Sequence, residues 1–205
     1  MVGKTSISTR FIKGRFEAIP IKKRTINTNC FQKRIEINNT IFNLNIWDTA
    51  GEEKYHALAP LFYRGANGAV VIFDVTNKET FNRATRWFHE LTEYAEGNPK
   101  IILVGNKIDL PNRVVSNEEA SELAQKYNCN FLEVSALEGT NVSEIFHSIA
   151  LTIYNEKQKE LKKNNDEIME DKIDNYKHKG KGRLQIVDAP APEVIPKVNR
   201  KGTCC

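Results

Sequence analysis

The sequence predicts an α/β fold, a mostly parallel sheet flanked by helices, and three observations carry that expectation. Continuous apolar runs occur at GAVVIFDV (68–75), KIILVGN (100–106) and NFLEVSA (130–136), as in parallel strands buried on both faces. Between them the apolar residues switch to three- and four-residue spacing, the period of a helix that hides one face. Strands alternating with helices pack as a layered α/β domain.

Taken in order, the chain opens MVGKTSISTRF, a helix start. QKRIEIN and TIFNLNIW alternate apolar with polar residues and are separated by Asn38-Asn39, so they read as an antiparallel hairpin. Phe81, Ala84, Phe88, Leu91 and Ala95 mark the helix after the 68–75 strand. Ser116 with Glu119 forms a capping box ahead of Ala120, Leu123, Ala124 and Tyr127. Asn141 with Glu144 offers a similar start ahead of Ile145, Ile149 and Ile153. Beyond Tyr154 the apolar stripe fades. Two regions follow: a domain over 1–154 and a polar tail over 155–205, helical for a few turns and then disordered.

Composition narrows the function classes. The chain is 40% hydrophobic and 27% charged, and its longest apolar run, AVVIF at 69–73, is far short of the roughly 18 residues of a membrane span. No signal peptide is apparent, and the four cysteines Cys30, Cys129, Cys204 and Cys205 form no disulfide framework, which favours a reducing compartment. The segment from Asn155 onward carries 12 Lys and Arg against 9 Asp and Glu, sharpest in KHKGKGR at 177–183. A near-neutral core with no aromatics among those lysines argues against a nucleic-acid partner. A basic segment near a chain end suits an anionic membrane surface instead.

Four short segments carry chemistry. VGKTS is the back half of a phosphate loop, G-x-x-x-x-G-K-[ST], and alone is weak. WDTAG (47–51) places Asp48 at the carboxyl end of a strand, where an acid can hold a magnesium-bound water. NKID (106–109) follows a buried strand; its Asn and Asp can bond a purine edge while the lysine stem covers the base. VSA (134–136) ends the last strand at the same sheet edge. Ligands of open α/β sheets bind at the carboxyl ends of the strands, so the four segments converge on one crevice.

The ordered set GKTS, WDTAGEE, NKID and VSA resembles the Ras-like small GTPases. NLNIWDTAG, KYHALAPLFYRGA and VIFDVT look specifically like the Rab family, with YHALAP closest to its endosomal branch. The resemblance spans roughly residues 2–155 and the terminal Cys-Cys, and it implies a P-loop GTPase fold that binds and hydrolyses GTP with Mg²⁺. Carried over residue by residue, Lys4 contacts the β- and γ-phosphates, and Gly3 and Ser6 complete what remains of the loop. Thr5, Thr25 and (through water) Asp48 serve the metal, and the Gly51 amide senses the γ-phosphate. Asn106 and Asp109 select guanine, Lys107 packs along the base, and Ser135, Ala136 and Leu137 form the base loop, with the Ala136 amide donating to the guanine oxygen. Phe31, Trp47 and Phe62 mark an effector surface. Cys204 and Cys205 form a double-prenylation signal behind a basic run, and two lipid chains anchor stably where one is marginal.

The resemblance further implies effectors, an exchange factor, an activating protein and a prenyl-binding carrier as partners of a monomer. It implies residence on the cytoplasmic face of endosomal or other intracellular membranes, with a cytosolic pool. The chain also departs from the family's pattern. The loop lacks its first glycine, and the first, central strand, expected between the hairpin and Val70–Phe73, is missing from the sequence. Such a strand would contribute on the order of 10 kcal/mol of burial. Glu52 stands at the catalytic, water-orienting position where the family has glutamine, which predicts slow intrinsic hydrolysis; the Lys4–Thr25 segment is about two residues longer than usual, and Leu137 replaces a lysine. The third aromatic position of the effector surface falls on Cys30, with Phe31 beside it. A nucleotide-impaired scaffold is the alternative, and a P-loop ATP kinase is disfavoured by the guanine set.

Overall fold

A computed structural model describes residues 1–17, 28–49 and 63–178, with side chains through residue 163. Its elements in chain order are α1 (Lys4–Lys13), β1 (Asn29–Ile37), β2 (Thr40–Asp48), β3 (Gly68–Asp74), α2 (Lys78–Tyr94), β4 (Lys100–Asn106), α3 (Asn117–Lys126), β5 (Asn130–Val134) and α4 (Val142–His178). Residues Met1–Leu161 form one compact unit, and a second begins at Lys162. Of the second unit the described part is helix, reaching His178, well past the few turns anticipated after Tyr154.

The hairpin forms as expected. Asn38 and Asn39 both take positive φ (50° and 60°), the conformation of a two-residue turn whose twist matches the flanking strands, and Ile37 pairs with Thr40 across it. The period-2 pattern turns Ile35 and Ile37 toward the core, with Phe42, Leu44 and Ile46 packed against it, and leaves Gln32, Arg34, Asn43 and Asn45 exposed.

Strands β3, β4 and β5 run parallel in that order, and their registers bring Asp74, Asn106 and Val134 side by side at the carboxyl edge. The apolar runs are continuous because both faces are covered. On one face Ile102 and Val104 of β4 meet Ile7 and Phe11 of α1 and Ile145, Phe146 and Ala150 of α4. On the other, Leu103 meets Phe73, Ala84, Phe88, Leu91 and Ala124 under α2 and α3. Phe11 stacks on Phe146 with ring centroids 3.9 Å apart, which fixes the start of the chain against α4.

Two helix starts are capped by side chains close in sequence. Ser116 and Glu119 form the full capping box, and the Asn77 side chain accepts from the Thr80 amide at the start of α2. The expected Asn141–Glu144 start is built differently. Asn141 adopts φ 56°, and its amide donates to the Glu133 carbonyl at 2.9 Å, so its side chain reaches back to β5.

The strands fall into two sheets. The hairpin is a separate two-stranded sheet, and among the described residues no ladder joins β2 to β3. The break falls where the sequence reading places a central strand. Side chains hold the hairpin instead: Ile35, Ile37 and their neighbours share a core with α1, α4 and β4.

Gly68, at the start of β3, lies under α4, and a Cβ there would come within 2.5 Å of Ile149 Cγ2. Ile149 is branched at Cβ, and within a helix its χ1 is largely held to one rotamer, which limits how far Cγ2 can give way. Gly68→Ala should therefore cost roughly 1–3 kcal/mol through overpacking, read as a lower urea midpoint with unchanged slope.

Candidate functional site

Asn106 organises the site. It ends β4, is 1% exposed, and its amide is used in both directions. Nδ2 donates to the Val2 carbonyl at 2.9 Å, and Oδ1 accepts from the Ala136 amide at 3.1 Å. One side chain thus joins the segment ahead of α1 to the loop after β5. Gly3, the N-cap of α1, sits at φ 94°, and a Cβ on it would overlap the Asn106 amide. Both backbone conformation and space call for glycine here.

At the α1 end, Lys4, Thr5 and Asp48 meet. Asp48 is 2% exposed. Burial pushes its carboxyl above the ordinary range, opposed by the Thr5 hydroxyl and the Lys4 ammonium. Burial likewise pulls the Lys4 ammonium down, opposed by Asp48. Thr5 stands close enough to act on the carboxylate, yet neither Asp48 oxygen receives a hydrogen bond of full distance and angle. A buried carboxylate with unsatisfied oxygens beside a hydroxyl is a donor set that fits a hydrated divalent cation. Ser6 lies in the first turn of the same helix.

At the opposite end, Lys107 and Asp109 follow β4. Lys107 is held at φ 71°, which turns its side chain back over the strand edge to pair with Asp74. Asp74 is 5% exposed and also accepts from the Thr76 amide at 2.9 Å and the Thr76 hydroxyl at 2.7 Å. Burial alone would raise its carboxyl, but the Lys107 and Thr76 donors outweigh it and hold it below the ordinary range. Asp109 Oδ1 accepts from the Ser135 hydroxyl at 2.6 Å, and that hydroxyl accepts from the Glu138 amide at 3.0 Å.

The structure brings together Gly3, Lys4, Thr5, Ser6 and Asp48 at one end, and Asn106, Lys107, Asp109, Ser135 and Ala136 at the other. Leu137 stands in the same loop, 52% exposed. One detail differs from the sequence reading: the Ala136 N–H, anticipated for a guanine oxygen, is already engaged by Asn106. A base would have to share it as a three-centre bond. Conversely, Asn106 keeps one amide hydrogen for a ring nitrogen.

The anticipated effector surface divides. Trp47 is 54% exposed and lies across from Cys30, on the outward face of the hairpin. Phe31 pairs with Ile46 and alternates onto the inward face with Ile35 and Ile37, so it does not share a surface with Trp47. The reason is the pleat: adjacent residues point to opposite faces, and Cys30 takes the outward position. Thr25, Gly51, Glu52, Phe62, Cys204 and Cys205 lie outside the described residues.

Two residues were missed by sequence reasoning. Asp74 was legible as an acid closing a buried strand in VIFDVT, in direct register with Asn106. Arg10 carried no local signal; its guanidinium reaches the Glu138 carbonyl, 128 residues away.

The sequence pattern of the Ras family matches residues 1–155. Ras-related protein RABF2a of Arabidopsis thaliana is 44% identical over 151 residues, covering 72% of this chain and 74% of that protein. Ras-related protein Rab5A of Oryza sativa subsp. japonica is 44% identical over 151 residues, covering 72% of each chain. Ras-related protein Rab5 of Nicotiana tabacum is 42% identical over the same length, covering 72% of this chain and 74% of that protein.

An acid held below its usual value stabilises the fold above the unfolded-chain pKa, near 3.9, and loses that contribution as pH falls through the lower folded value. Asp74→Asn should therefore lower stability at pH 7 by roughly 1–3 kcal/mol. The gap to the parent should narrow as pH falls through the lowered folded value of Asp74, where its carboxyl takes up a proton, as read from urea midpoints at pH 7 and along an acid series.

Proposed function

The chain belongs to the Ras family, and from that premise we propose that it is a Rab-like switch that binds GTP, hydrolyses it to GDP and recruits effectors in endosomal vesicle traffic. The observation that carries the reading is Asn106, whose buried amide ties the Gly3-Lys4-Thr5 segment to the Ser135–Leu137 loop. A nucleotide spanning those two points has its phosphates at the start of α1 and its base between Asp109 and Ala136. A helix N-terminus presents its N–H groups and the positive end of its dipole, which favours the phosphates.

In this reading Lys4 lies against the β- and γ-phosphates, and its low solvation strengthens the contact. Thr5, Thr25 and, through water, Asp48 would hold Mg²⁺, which when bound neutralises phosphate charge. The Gly51 amide would sense the γ-phosphate. Asp109 offers a carboxylate to the N–H groups on the guanine edge, which adenine lacks at those positions. The stem of Lys107, anchored by Asp74, flanks the base plane. Phosphoryl transfer then depends on positioning and charge rather than on a covalent intermediate.

In sequence, Glu52 corresponds to the glutamine that orients the attacking water in the family. A glutamine amide both accepts from the attacking water and donates toward phosphate; an ionised glutamate only accepts, and its charge faces phosphate. Two unit charges at ~4 Å with an effective dielectric near 20 repel by about 4 kcal/mol, part of it offset by Lys4. Intrinsic hydrolysis is expected at or below the ~10⁻⁴ s⁻¹ scale of an unassisted Ras-type enzyme. Nucleotide released from the purified full chain should be GDP or GTP, and single-turnover hydrolysis should be faster in Glu52→Gln than in the parent. Equal rates would refute the role of Glu52, and release of an adenine nucleotide or of none would refute the switch.

The tail supplies the membrane contact in this reading, through geranylgeranyl groups on Cys204 and Cys205 and the basic run at 177–183. Among the described residues no helix is long and apolar enough to cross a membrane. Replacing both cysteines by serine should move the protein to the soluble fraction with nucleotide binding unchanged. Membrane association that survives in the double variant would transfer the anchor to the basic run or to a protein partner.

A further inference from the structure

We propose that Arg10 is a positioning residue for guanine recognition, clamping the Ser135–Thr140 loop to α1 so that Asp109 is held toward the base. The inference rests on the nucleotide reading above. Arg10 stands in the last turn of α1, about 9 Å along the axis from Lys4. Its Nη2 donates to the Glu138 carbonyl at 2.5 Å. The Glu138 amide donates to the Ser135 hydroxyl, and that hydroxyl donates to Asp109 Oδ1. An unbroken path of short polar contacts therefore runs from the helix that begins at the phosphate residues to the carboxylate that reads the base.

The loop is closed by its own backbone. The Gly139 amide donates to the Ser135 carbonyl at 2.8 Å, and the Ser135 amide donates to the Thr140 carbonyl at 3.1 Å. Gly139 takes φ 91°, and a Cβ there would come within 2.5 Å of Arg10 Nη2 and 2.6 Å of Nε. The guanidinium thus lies flat over the space a side chain would occupy. A planar, delocalised cation suits that position, and a charge-assisted bond to a carbonyl outweighs a neutral one.

The competing role for Arg10 is general. A basic residue in a last helical turn interacts favourably with the helix dipole, and a side-chain bond to a loop carbonyl stabilises the fold. Either would act equally on every bound nucleotide. A positioning role through Asp109 acts on the part of the base that Asp109 touches. Inosine diphosphate keeps the ring N1–H but lacks the exocyclic amino group of guanine, so it makes only one of the two contacts that a well-placed Asp109 gives to GDP.

The experiment compares GDP and IDP dissociation from the full chain, from Arg10→Ala and from Arg10→Lys. In Arg10→Ala GDP should leave about tenfold faster, and IDP should be accelerated much less, so the preference for GDP falls. Arg10→Lys keeps the charge at the helix end but cannot cover Gly139, and its preference should fall partway. Should Arg10→Ala not fold, Arg10→Lys decides. Unchanged release, or equal acceleration of both nucleotides, overturns the proposal and leaves the nucleotide reading standing. A parent chain that holds neither nucleotide overturns both.

Discussion

The arrangement of the site depends on one buried amide. Asn106 faces a carbonyl, which can only accept, and an N–H, which can only donate, so its orientation is fixed by its partners. Removing either partner would strand a buried polar group at a cost of about 1–3 kcal/mol, a sizeable part of a domain's net stability. Gly3 follows from the same contact, since any side chain there would displace the amide. The register of the three parallel strands follows too, because Asp74, Asn106 and Val134 must end level for the loops beyond them to meet.

Around that point the molecule is two apolar layers on either side of a three-stranded sheet. The layer beneath α1 and α4 also carries the hairpin, which has no ladder to β3 among the described residues. Its position is therefore set by side chains: Ile35 and Ile37 within the core, and Lys33 laid over the Phe11 ring with Nζ 4.0 Å from its centroid. Asp48, at the end of β2, reaches Lys4 and Thr5 only because this packing holds the hairpin against α1. Core and site are the same set of contacts at that end.

Asp48 and Asp74 show how environment divides one residue type between two tasks. Each closes a strand and each is nearly buried. Asp74 is satisfied by Lys107 and Thr76, and its carboxyl is held low; it anchors a neighbour. Burial dominates at Asp48, whose carboxyl is raised and whose oxygens lack hydrogen bonds, a state that a cation would relieve. The two carboxyls are thus pushed in opposite directions, Asp74 down by its donors and Asp48 up by burial.

By itself the sequence determined the elements whose cause is local or periodic. The strands over 68–74 and 100–106, the Asn38-Asn39 turn and the Ser116–Glu119 box each answer to residues within a few positions of one another. It also determined which segments share the carboxyl edge of the sheet, because parallel strands place their following loops on one side. Tertiary structure alone decided that Arg10 grips Glu138, that Lys107 folds back onto Asp74, and that the Ala136 amide is taken by Asn106. It decided that Phe31 faces inward while Cys30 shares the outer face with Trp47, and that the hairpin stands as a sheet of its own. These are contacts between residues far apart in the chain, or choices between two faces of a strand. No local propensity encodes them; they are settled by which surfaces must be buried together and which polar groups would otherwise be left unpaired.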